Sequence, residues 1–132
     1  MKTSPFLLIF LALLISCVEE KPDRTDENLS RNLSMGVWEI SFFDNNGTIQ
    51  TEDFQGISFV FYPNGKSEAY RTTQLLDQGN WKTYVDSGKI KLELTFSDLK
   101  DLNGEWNQDF IRESQIKVKH ESMNTILVFE KI

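Results

Sequence analysis

The sequence predicts an all-β domain: an eight-stranded antiparallel up-and-down meander closing into a small barrel, with a two-sheet β-sandwich as the alternative. Three observations carry that expectation. From Met35 onward, short runs alternate apolar and polar residues with the period of a half-buried strand. Tight-turn signals, Pro63-Asn64-Gly65 and Asp86-Ser87-Gly88, separate some of these runs. The runs recur every 8 to 15 residues or so, and closing such a series into a cylinder removes its unpaired edges.

Taken in order, the first strand is expected at about 36–43, with Trp38, Ile40 and Phe42 on one face. The second, about 57–62, keeps Ile57, Phe59 and Phe61 in phase and runs into the Pro-Asn-Gly turn. The third, about 66–72, is weaker and sets Glu68, Tyr70 and Thr72 on one face. A fourth at about 80–85 surrounds Trp81. The fifth alternates most regularly, Ile90, Leu92, Leu94 and Phe96 against Lys89, Lys91, Glu93 and Thr95. The last three fall at about 105–112 (Trp106, Phe110), 115–120 (Ile116, Val118) and 125–131 (Leu127, Phe129). Residues 97–104, with Leu99 and Leu102, are the one stretch expected to form a helical turn.

Ahead of the domain, Met1 and Lys2 precede an apolar run from Phe6 to Ile15. That run is too short to cross a hydrocarbon core of roughly 30 Å, and it has the length of a signal-peptide core. Leu14-Ile15-Ser16-Cys17 follows directly and resembles the lipobox of bacterial lipoproteins. The resemblance implies that residues 1–16 are removed, that Cys17 carries the lipid, and that the membrane is met through that lipid alone. Multiple acylation would make the anchor stable. Residues 17–34 read as the lipidated cysteine with a flexible, acidic tether, and 35–132 as the domain. Glu19 and Glu20 are similar to the acidic export signals of Bacteroidetes surface lipoproteins, and Val18 after the cysteine leans towards the outer membrane.

Loss of Lys2 leaves 13 basic against 20 acidic residues, a net of −7. Such a surface repels nucleic acid and anionic headgroups, so neither is an expected partner. Cys17 is the single cysteine, which excludes a disulfide and a cysteine nucleophile once it is modified. His120 is the single histidine, so no paired-imidazole metal site or catalysis is expected. Ser114 and Ser122 lack the surroundings of a nucleophile elbow. Asp44-Asn45-Asn46-Gly47 lacks the alternating ligands of a calcium loop and reads as a turn. Asp98, Asp101, Glu105 and Asp109 read as solvated carboxylates rather than a glycosidase pair. No catalytic residue, metal or cofactor is expected, and the chain is expected to act as a monomer.

Gly36-Val37-Trp38 resembles the Gly-x-Trp that opens lipocalins. The longer pattern resembles the lipocalin-like domains of Bacteroidetes lipoproteins: Phe59 to Gly65, Gly79 to Trp81, Ile90 to Phe96, Leu102 to Trp106 and Leu127 to Lys131. The resemblance implies a lipocalin-like barrel, although the chain lacks the long terminal helix and about a third of the length of full-size lipocalins.

An up-and-down order sets Trp38 as a plug at the tether end, with Trp81 and Trp106 at the opposite end. The longer connections (44–56, 73–79 and 97–104) then gather at that outward end, where functional residues favour loops on a rigid scaffold. The expected mouth is Tyr70, Trp81, Phe96, Trp106 and His120. The first functional expectation is a membrane-anchored, non-catalytic protein binding a small apolar or amphipathic molecule there. The alternative is an interaction or inhibitor module with a filled barrel, meeting another envelope protein through those loops.

Overall fold

The computed structural model describes residues 25–132; the expected signal, Cys17 and the first part of the expected tether lie outside them. Nine strands are formed: β1 (Val37–Asn45), β2 (Thr48–Ile49), β3 (Ile57–Phe61), β4 (Lys66–Arg71), β5 (Gln74–Asp86), β6 (Lys89–Phe96), β7 (Gly104–Arg112), β8 (Gln115–His120) and β9 (Ile126–Lys131). Apart from β2, each pairs antiparallel with its successor, and β9 returns to β1 from Trp38↔Lys131 to Asp44↔Ile126. The eight long strands therefore close into the predicted barrel, and the sandwich alternative is excluded because β1 and β9 are not free edges. The small β2 folds back on β1 through Asn46-Gly47, both at positive φ.

Two bulges change which residues reach the core. The alternation predicted Trp38, Ile40 and Phe42 together, but β1 slips register between Ile40 and Phe42. Phe43 is therefore the buried residue, and Phe42 is only half-buried. In β7 a slip between Gln108 and Phe110 brings Ile111 against the core instead of Phe110. Phe110 instead packs beneath the Arg112 guanidinium, 4.2 Å from its ring centre. One extra residue in a strand inverts the inward set beyond it.

A helix, α1 (Glu27–Ser34), occupies part of what reads as flexible tether. Leu29 and Leu33, one turn apart, are buried on one face, and the other face is polar. Three contacts hold α1 over the end of the barrel that carries the turns at 62–65 and 87–88. The Trp38 indole N–H donates to the Leu33 carbonyl at 3.0 Å, Thr83 Oγ1 donates to Asp26 Oδ2 at 2.5 Å, and α1 packs on β3 and β5. We call this the helix end. The domain thus begins near Asp26 rather than Met35.

The opposite, loop end carries 46–56, 97–103 and 121–125, with 3₁₀ turns at Thr51–Phe54 and Lys100–Leu102. The expected loop at 73–79 is not formed. β5 starts at Gln74, reached through a turn in which Thr72 takes φ 58°. Between the ends the interior is full: Trp38, Phe43, Phe59, Phe61, Trp106 and Phe129 are each at most 1% exposed. Phe59 meets Phe96 and Phe129 edge-on at 5.9 and 6.1 Å between ring centres.

Candidate functional site

The five residues expected to form a mouth are not brought together. Tyr70 points out of the barrel, since its neighbour Ala69 is the inward residue, and its hydroxyl donates to Glu68 at 2.6 Å. Trp81 lies at the helix end, not opposite Trp38. Its indole N–H donates to the Tyr62 carbonyl at 2.8 Å and its backbone N–H to the Gly65 carbonyl, both in the β3–β4 turn. The physical reason is the early start of β5: Trp81 stands seven residues into the strand, about 23 Å from the loop end at the usual rise per residue. Phe96 is buried against Phe59. Only Trp106 and His120 meet, edge-on at 5.0 Å.

His120, but not the buried Trp106, borders an outer-wall cleft of about 500 Å³, lined also by Glu93, Thr95, Asn103, Glu105 and Ser122. Gly104 makes it possible: at φ +127° and without a Cβ, it leaves room for His120 Nε2, which would otherwise lie 2.6 Å from that atom. His120 Nδ1 accepts the Ser122 backbone N–H at 3.2 Å, which leaves the ring proton on Nε2. Asn103 replaces a strand partner, receiving the Phe96 N–H and donating to the Phe96 carbonyl. The Tyr84 hydroxyl donates to Glu105 at 2.5 Å, and that bond pushes the tyrosine up to about 12.

Behind the cleft, the Lys91 ammonium is buried on the outside of the wall and pairs with Glu121. Sequence alternation places Lys91 outward but gives no sign that the 121–125 connection covers it. The hydrogen bond from Lys91 holds the Glu121 carboxyl below its ordinary value of 4.5, with a smaller contribution from Asn107. Because the folded-state value is depressed, its stabilisation is present above the ordinary glutamate range and is lost as pH falls through the folded value. Thermal unfolding followed from neutral to acid pH should therefore show a decline that is shallower in Glu121→Gln than in wild type. Equal slopes would mean that the pair contributes nothing.

A second concavity, about 290 Å³, opens between β1 and residues 51–56, with Ile40 and Phe54 as its apolar floor and Glu39, Glu52 and Gln55 at its rim. It exists because β1 and β3 share only the pairs Val37↔Val60 and Trp38↔Phe59 before they part. The 3₁₀ turn fills the gap. Thr51 Oγ1 accepts the Phe43 N–H at 3.0 Å, and Phe54 packs edge-on against Phe43. Nearby, the buried Asp77 carboxylate accepts the N–H groups of Asp98 and Leu99 at 2.8 and 2.9 Å, pinning the 97–103 connection to β5. The sequence has no local signal for that anchor, since its partners are more than 20 residues away.

No group of three His, Cys, Asp or Glu side chains is placed to hold a metal among the described residues. Ser122 Oγ sits 3.5 Å from His120 Nδ1, which already accepts the Ser122 backbone N–H. Fold and surface together define a small, filled, antiparallel β-barrel whose concavities lie on its outside. A crystal structure of a DUF4847 family protein from Bacteroides vulgatus ATCC 8482 is similar to it, with a TM-score of 0.54 at 14% identity, over 77% of this chain and 96% of that one. At that identity the likeness concerns the fold. No protein-family model and no curated protein matches the chain.

Proposed function

We propose that this protein is a lipid-anchored envelope protein, held through Cys17 at the outer membrane, whose barrel is a non-catalytic interaction module. Its loop end meets another envelope protein. The lipobox resemblance supports the anchor, and the barrel's likeness to a Bacteroides structure accords with the lipocalin-like resemblance of the sequence.

The observation that carries the reading is the interior. Six large aromatic side chains fill it, α1 stops one end, and the buried Phe54 and Leu102 stop the other. A pocket that buries most of a small ligand needs several hundred Å³. The loop end offers instead a surface of short connections held by the 3₁₀ turns and by the Asp77 anchor. The groove over Ile40 and Phe54 favours a second reading, in which a small amphipathic molecule binds on the outside of the wall.

Photo-crosslinking residues placed at Glu52 and Lys100 in cells should yield a discrete protein adduct that is absent when the residue is placed at Lys82, on the side of the barrel. Adducts of equal intensity at all three positions would contradict a loop-end interface. In parallel, Cys17→Ala should move the chain from membrane to soluble fractions, and retention on membranes would end the anchor reading.

A further inference from the structure

Five large apolar side chains are exposed around the helix end: Met35, Val37, Tyr62, Val85 and Ile132. Two strands and the residue that follows β9 bring three apolar residues into one row. The register pairs Val37 with Val60 on β3, and Ile132 donates its N–H to the Val37 carbonyl at 2.9 Å, so Ile132, Val37 and Val60 form a row from the end of β9 across β1 to β3. Met35 leads into that row from α1, and the Lys131 stem crosses Gly36 to set its ammonium 5.4 Å from the Trp38 ring centre. At the row's far side, Tyr62 and Tyr70 both donate to Glu68, at 2.8 and 2.6 Å, and these bonds hold its carboxyl below the ordinary range. Apolar side chains bordered by tyrosines have the composition of a membrane–water boundary.

The charges are divided along the same axis. In the loop-end segments 44–56, 71–74, 97–105 and 120–125, seven carboxylates stand against two cations, Arg71 and Lys100. In the helix-end segments 26–36, 62–66, 86–89, 112–114 and 131–132, four carboxylates stand against five cations. An anionic bilayer repels the first end and tolerates the second.

We propose that the Ile132–Val37–Val60 row, with Met35 and Tyr62, lies against the lipid surface and fixes the barrel with its loop end away from the membrane. The proposal rests on the reading that Cys17 carries lipid. Nine residue steps from Cys17 to Asp26 span at most about 30 Å, so the anchor confines this face near the bilayer. At the effective concentration a short tether gives, even a small apolar patch can be occupied. The membrane is then met through a protein face as well as through the lipid.

With the Cys17 sulfur occupied by lipid, Met35→Cys and Met123→Cys each give the full chain one free thiol for a fluorophore, at opposite ends. In vesicles of phosphatidylethanolamine and phosphatidylglycerol with brominated acyl chains, the label at 35 should be quenched and the label at 123 should not. Adding Val37→Asp or Ile132→Asp should relieve the quenching while the protein still floats with the vesicles, and either exposed site suffices if the other variant fails to fold. Equal emission at the two positions in vesicles that carry the protein overturns the proposal and leaves the anchor standing. A blue shift at 35 that grows with protein density without bromine quenching also overturns it, because the face would then cover a second copy. An intact mass without acyl chains on Cys17 overturns proposal and anchor together.

Discussion

Replacing Trp38 with alanine is expected to destabilise the domain by about 3–5 kcal/mol, the cost of removing a fully buried aromatic ring and leaving a cavity. The ring is completely buried and stands where three strands meet, with Trp38 opposite Phe59 on β3 and Lys131 on β9. Its indole N–H also holds the last turn of α1 through the Leu33 carbonyl, so the substitution loosens the stopper along with the core. Domains of this size have total stabilities of about 5–15 kcal/mol, so the variant should be close to its unfolding threshold. Trp38→Phe separates the two contributions: it keeps most of the ring and removes the hydrogen bond, adding about 1 kcal/mol to the volume loss. Urea unfolding of the full chain checks both. A loss under about 1 kcal/mol for Trp38→Ala would show that the ring does not sit in a close-packed interior.

Gly79→Ala should be the most damaging of the glycine substitutions. Gly79 pairs with Ser67 on β4 and Phe96 on β6, in the middle of the wall. A methyl group there would run into the Thr95 carbonyl and come within 2.9 Å of the Phe96 Cα, both backbone atoms of the adjacent strand. Neither can rotate away as a side chain would, so β6 itself must move. The expected cost is about 3 kcal/mol or more, at the top of the range for overpacking. Gly88 is the useful contrast: its φ of +77° disfavours an alanine, but nothing lies within 4 Å of the added atom. Gly88→Ala should cost about 1–2 kcal/mol, from backbone conformation alone. Thermal unfolding ranks the two, and a Gly88 variant less stable than the Gly79 variant would contradict the packing described for β5 and β6.

The strands were legible because a half-buried wall imposes alternation on its own residues. Residues 89–96 and 115–120 fold over the predicted spans. The bulges were not legible, because the extra residue at Ser41 or Asp109 has no chemical mark; it shows only as a change in which later side chains are buried. α1 was hidden for a related reason. Two leucines among charged and polar residues make a weak helix by themselves, and the barrel end supplies the burial that stabilises it.

The expected mouth failed on strand length. Gly-x-Trp occurs at Gly36, Gly79 and Gly104, but Gly79 is five residues inside β5, whereas Gly104 opens β7. The same motif therefore places Trp81 and Trp106 at different heights in the wall. What remained of the site in sequence terms was the Trp106–His120 contact, because both residues stand near strand termini that the alternation located correctly.

Native mass spectrometry of the full chain, purified from its own host's membranes, bears most directly on the filled interior. The expected spectrum is that of the acylated polypeptide with no further small-molecule mass, unchanged after extraction with apolar solvent. A reproducible bound mass that disappears when Phe59 or Trp106 is replaced, in variants that remain folded, would place a ligand among those rings and contradict a barrel packed with its own side chains.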